Sequence, residues 1–257
     1  MEHRIAQVGG VVGVVLGGSR ARGTHRPDSD HDIGVYYRGE LDVAGLQALA
    51  DEVADEKAEV TAPGEWGPWV NGGAWLRVGG ERVDWIYRDL DRVRRIWDGC
   101  REGRYEIGFQ VAHPLGFYSH AYAGEVALCR ILADPTGELT ALQAETRVYP
   151  PALRQAMINR LWEAEFLIVQ ARKVTDPTYI AGCLFRVVGI MCHAVQARKG
   201  EWLISEKGML AAAGLPEILG TVGSTPDELR ATIDRAEEIL KALQLADPAD
   251  PAVAGDL

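Results

Sequence analysis

Apolar positions in the first half of the chain fall into short runs of period two, and in the second half into long runs with helical spacing. Residues 11–16, VVGVVL, form a β-branched run closed by Gly17-Gly18, which predicts a buried strand. Residues 32–38, DIGVYYR, alternate and are rich in β-formers, giving a second strand. Residues 41–55 have helical spacing with polar flanks, and residues 74–87, AWLRVGGERVDWIY, are two alternating runs around Gly79-Gly80, a hairpin signal. A helix is expected from about Asp89 to Cys100. From about Pro150 the period changes: residues 151–173, 177–199 and 225–245 carry apolar residues at i, i+3 and i+4. Thr225-Pro226-Asp227-Glu228 places a cap, a proline at the first helical position and a glutamate at N3, a marked helix start. The pattern therefore predicts an α+β protein, with a small mixed-sheet domain over residues 1–140 and an all-α bundle over residues 141–245. The boundary falls in 134–150, where Asp134-Pro135-Thr136-Gly137 and Pro150-Pro151 punctuate the chain. Residues 246–257 are rich in Pro, Ala and Asp with little to bury, and are expected to be a disordered tail.

Composition narrows the class. The 257 residues are 47% hydrophobic and 25% charged, as in a soluble globular protein. With 37 acidic against 27 basic residues the formal net charge is −10, which argues against a bulk DNA or RNA binder, because such binding runs on Lys and Arg displacing counterions. Cys100, Cys129, Cys183 and Cys192 lack ligand-like or disulfide-framework spacing and read as reduced and structural. The charged start MEHRIAQ and the short run Val11 to Leu16 suit neither a signal peptide nor a membrane span, so a cytoplasmic location is expected.

Candidate chemistry concentrates in residues 17–38. The Gly17-Gly18-Ser19 turn lets backbone approach a ligand closely, and the Ser19 hydroxyl and Arg22 guanidinium add donors suited to a polyphosphate. Asp30 and Asp32 share one face at the start of the second strand, where two carboxylates repel unless a cation such as Mg²⁺ lies between them. Asp84 lies on a later strand among the apolar Val83, Trp85 and Ile86, and a carboxylate there needs a partner. Each piece has an ordinary alternative: a plain strand–helix turn, an acidic PDSD loop capping itself, an exposed position on an alternating strand.

Taken together, Leu16-Gly17-Gly18-Ser19, a ten-residue spacer, Asp30-His31-Asp32-Ile33 and then Asp84 resemble the signature of the nucleotidyltransferases of the DNA polymerase β superfamily. The likeness spans roughly residues 11–90. His31 departs from it, standing where the family usually has an apolar residue, and is expected to make that edge of the site more polar. The resemblance implies a nucleotidyltransferase core. Asp30 and Asp32 would hold two Mg²⁺ ions, and Asp84 would complete the second ion's shell and act as a base. Gly18, Ser19 and Arg22 would grip the β- and γ-phosphates of a nucleoside triphosphate, ATP by default.

An α/β catalytic half followed by helices is similar to the bacterial transferases that modify aminoglycoside and lincosamide antibiotics. That implies a small-molecule hydroxyl as acceptor, with no membrane partner, and allows a homodimer. Glu163 and Glu165 on the first long helix are candidates for the acceptor wall, although two residues apart on a helix they point in different directions. Trp66, Trp69 and Trp75 could stack on a base or sugar, or pack under a long loop. The rival is a toxin–antitoxin-type enzyme that nucleotidylates protein or tRNA, suggested by the Arg186 to His193 spacing; apolar residues and Gly alone between those two suit a core helix better.

Overall fold

The structure, a computed structural model, describes residues 1–217 and 222–247. It comprises two compact units, Met1–Asp98 with Glu106–Val148, and Gly99–Tyr105 with Tyr149–Leu257.

The first unit opens with a short helix α1 (Glu2–Ile5), strand β1 (Val11–Leu16), a five-residue helix α2 (Gly18–Arg22) and strand β2 (His31–Tyr37). Helix α3 (Val43–Val53), strands β3 (Gly73–Val78) and β4 (Glu81–Asp89), and helix α4 (Leu90–Arg101) follow. Two-residue strands β5 (Ile107–Gly108) and β6 (Phe117–Tyr118), helix α5 (Ala121–Leu128), strand β7 (Arg130–Ala133) and helix α6 (Glu138–Thr146) complete it. Five strands form a sheet in the order β3-β4-β2-β1-β7. Only β2 and β4 run parallel within it, joined by a crossover that contains α3 and β3.

Alternation along these strands separates two chemistries. Val14, Leu16, Ile33, Val35, Tyr37, Val83, Trp85 and Tyr87 face a buried core shared with Ile5 and with Leu46, Leu49 and Ala50 of α3. Those α3 residues follow i, i+3, i+4 spacing, so one helix stripe covers the sheet. The Asp42 carboxylate caps α3 by accepting from the Gly45 amide at 2.8 Å. At the β3–β4 hairpin Gly79 and Gly80 both have positive φ, the conformation a two-residue hairpin turn demands, and Asp55 accepts from both amides. The strands at 11–16, 32–38 and 74–87 and the helix near 89–100 were legible from periodicity. β7, α5 and α6 were not: four residues, RILA, and two short helices carry too little period to stand out.

The second unit is helical: α7 (Pro151–Asn159), α8 (Leu161–Ala171), α9 (Pro177–Lys199), α10 (Met209–Ala213) and α11 (Pro226–Leu245). Helix α9 is the axis on which the other four pack. It is long and apolar enough to cross a membrane by composition, but most of it is buried inside the bundle, as a core helix requires. Asp176 caps it at one end and Gly200, in the left-handed region, ends it. Thr225 and Glu228 form the expected capping box on α11. The single helix expected over 151–173 is in fact two. The chain tightens at Arg160, whose amide donates to Met157 O, three residues back. Leu153, Met157, Leu161, Ala164 and Ile168 keep an apolar spacing across the break, so periodicity alone could not reveal it. The tail expected to be disordered lies outside the described residues from 248 onward.

Candidate active site

The turn after β1 is built around Asp32. The Gly17 amide donates to Asp32 O at 2.7 Å, and Gly18 follows with φ +59°. A Cβ at Gly18 would fall 1.7 Å from Asp32 Oδ2, so only glycine lets this carboxylate lie against the turn. Ser19 and the exposed Arg22 continue into α2, where the Arg22 guanidinium donates to Gly18 O at 3.2 Å. Arg20, which the sequence reading passed over, pins the following loop. Its Nη2 donates to Ser29 O at 2.7 Å and its Nε to Asp30 O at 3.3 Å, holding Asp30 beside the end of β2. Nothing local in the sequence marks this contact, since it spans ten residues of irregular loop.

Parallel pairing places Asp32 directly beside Asp84. Neighbouring strands lie about 4.8 Å apart, so the two carboxylates share one face, and Asp30, two residues before Asp32, belongs to the same row. Burial pushes the Asp84 carboxyl up to about 6, and the negative charges of Asp30 and Asp32 add to the rise, with Arg82 opposing it. Arg82 is a cation at this row: its Nε lies 2.5 Å from Asp30 Oδ1, and it donates to Asp28 O. That ion pair lacks hydrogen-bond alignment, and Asp30 Oδ1, shut off from solvent, accepts no hydrogen bond.

This donor set fits a hard divalent cation. It is all oxygen, it includes an enclosed oxygen without a hydrogen bond, and the charges of Asp30 and Asp32 raise the proton affinity of Asp84. Among the described residues, no group of three or more His, Cys, Asp or Glu side chains is gathered closely enough to surround an ion. The carboxylates form an open row, the arrangement suited to Mg²⁺ ions that take the rest of their shell from water and substrate phosphates.

His31 does not belong to this row. It lines a cavity of about 500 Å³ together with Leu16, Ile33 and Val83. Period two puts it on the opposite face of β2 from Asp30 and Asp32. The expectation of a more polar site edge is therefore corrected: the added polarity lies behind the sheet.

The three tryptophans divide by role. Trp69 is buried, stacked on Phe117 at 5.6 Å between centroids and covered by the Arg92 guanidinium. Trp66 and Trp75 stack on each other at 4.3 Å and 15°, and Trp75 is 67% exposed. In the second unit, Glu163 is bound by the guanidiniums of Arg160 and Arg186 at 2.6 and 2.5 Å, which commits its charge. Glu165 points elsewhere, accepting from Gln244 of α11 at 3.2 Å. His193, seven residues after Arg186, is buried in the bundle.

Residues 3–63 match the family described as "Nucleotidyltransferase domain". No curated protein matches the chain. Among solved structures it is similar to a nucleotidyltransferase-like protein from Exiguobacterium sibiricum 255-15, at 13% identity over 99% of this chain and 74% of that one, with a TM-score of 0.42.

Proposed function

On the match of residues 3–63 to a nucleotidyltransferase domain, we propose that this chain is a nucleotidyltransferase of the DNA polymerase β superfamily and that it moves a nucleoside monophosphate, AMP by default, onto a hydroxyl of a small molecule, with pyrophosphate leaving. The observation that carries the reading is the row of Asp30, Asp32 and Asp84 against the Gly18 turn. Asp30 and Asp32 would hold the metal, with Asp84 completing its shell on the neighbouring strand. When bound, Mg²⁺ supplies positive charge that neutralises the phosphate oxygens and lowers the pKa of the acceptor hydroxyl.

The remaining work falls to the chain. The turn from Gly18 through Ser19, with Arg22 beside it, offers backbone and side-chain donors to the β- and γ-phosphates. The acceptor oxygen forms a bond to the α-phosphorus as the bond to the bridging oxygen breaks in line, and the hydroxyl proton passes to Asp84. A small acceptor is favoured by the formal charge of −10, which gives a polyanionic nucleic acid no general attraction.

The test is pyrophosphate release by the full chain with Mg²⁺, each of the four nucleoside triphosphates, and a panel of aminoglycosides, lincosamides, a protein substrate and tRNA. Release with one triphosphate and a small amine-bearing acceptor, lost in Asp30→Ala and Asp32→Ala, is expected. Release only with protein or tRNA would overturn the small-molecule reading in favour of the protein- or tRNA-modifying one.

A further inference from the structure

Antiparallel pairing of β3 with β4 sets Trp75 directly opposite Asp84. Opposed residues of an antiparallel pair project to the same face, with Cα atoms about 4.5–5.5 Å apart. One line across the sheet therefore runs from the Gly17–Ser19 turn through Asp32 and Asp84 to the exposed indole of Trp75. Trp66 backs that indole, and its position is fixed from both sides. Its amide donates to Asn71 O at 3.2 Å, and its carbonyl accepts from Nε2 of the buried Gln110 at 2.5 Å. Gly73, on the same face two residues before Trp75, leaves the room in which the Trp66 ring lies, 3.1 Å from where a Cβ would stand. A large aromatic ring left 67% exposed, yet braced by a second ring, is a prepared stacking surface rather than a loose side chain.

In-line displacement says which reactant meets it. With the leaving pyrophosphate over the turn at one end of the line, the attacking hydroxyl must approach from the other end. That end is β4 and β3, where Asp84 and Trp75 stand. We infer that the Trp75 ring, braced by Trp66, seats the acceptor, and that the acceptor is a ring compound, such as a sugar, whose hydroxyl is thereby held at Asp84. The exposed ring face attracts the C–H face of a sugar or a cationic amine carried on it. This assignment rests on the small-molecule reading above.

The test uses the full chain with Mg²⁺, ATP and 2-deoxystreptamine aminoglycosides as acceptor probes. In Trp75→Ala the KM for the aminoglycoside is expected to rise about tenfold, the loss of one stacking contact, while the KM for ATP changes less than about twofold. Trp75→Phe should restore most of the affinity, and aminoglycoside should quench tryptophan emission in the wild type but not in Trp75→Ala. Transfer by the wild type with both KM values unchanged in Trp75→Ala overturns the assignment alone. A rise confined to the ATP KM overturns it too, by placing the base on the ring. A wild type that binds Mg²⁺–ATP but transfers to no aminoglycoside overturns the small-molecule reading and this inference together.

Discussion

Strands β2 and β4 lie side by side and parallel, yet their two ends treat charge in opposite ways. At the C-terminal ends Arg88 and Arg38 each have matched carboxylates. Arg88 on β4 is buried and bound in bidentate fashion by Glu125, with Nε and Nη2 donating at 2.6 and 2.8 Å. Arg38, just after β2, is gripped the same way by Glu138 and again by Asp91. At the N-terminal ends Arg82 pairs with Asp30, and three carboxylates, Asp30, Asp32 and Asp84, stand close enough that the first two push the Asp84 carboxyl up. Opposite charges joined in bidentate pairs hold the fold; like charges crowded together, kept in place by the surrounding packing, are an offer to a ligand. The same two strands thus carry a structural end and a chemical end, about four residues apart in register.

Four substitutions test that contrast. Asp32→Ala should lower nucleotidyl transfer by about 10³-fold or more while leaving the urea unfolding midpoint at or above the wild-type value, because it removes repulsion. Transfer within tenfold of wild type would take Asp32 out of the site. At the other end, Arg88→Ala strands the Glu125 carboxylate in a largely buried position and should cost about 3 kcal/mol of stability in the same unfolding experiment. A cost below about 1 kcal/mol would show that the pair is not structural. Gly18→Ala forces a methyl onto Asp32 Oδ2 at a positive φ, and should reduce transfer by about 10²-fold through displaced geometry. Near-normal turnover would mean that the carboxylate does not need to lie against the turn.

The smallest effect concerns pH. Asp84 has its carboxyl raised from 3.8 to about 6 in the metal-free protein, so folding disfavours its ionised form. The cost is absent below the unfolded value near pH 4, grows as pH rises to about 6, and stays constant above that. Asp84→Asn should therefore stabilise the metal-free protein at pH 7.5 by on the order of 1 kcal/mol, allowing for the group's partial exposure, and by nothing at about pH 4. Urea titrations in a chelator at the two pH values check it; an equal gain at both would show that the effect is packing and not charge.

Much of the site could be read along the chain because its parts are local. Gly17-Gly18-Ser19 and Asp30-His31-Asp32 each lie within a few residues, and the spacer between them is short. Asp84 was identifiable because a carboxylate stands among the apolar neighbours Val83, Trp85 and Ile86. Arg82 and Arg20 were not, since each acts across a loop or a strand pairing that leaves no local trace. His31 was misplaced for a related reason: adjacency in sequence suggested proximity to the carboxylates, whereas adjacency on a strand means the opposite face.

By itself the sequence determined which segments become strands and helices, that Asp30 and Asp32 share a face, and that glycine stands where the turn needs it. These follow from backbone geometry repeating over two or 3.6 residues, which any stretch of chain expresses alone. Only the tertiary structure decided that β4 lies next to β2 in a register setting Asp84 against Asp32, that Arg82 falls on Asp30, and that Trp75 ends the same line. Register between distant strands is chosen by which buried faces fit together, Val83, Trp85 and Tyr87 against Ile33, Val35 and Tyr37, and that choice is made by the whole core at once.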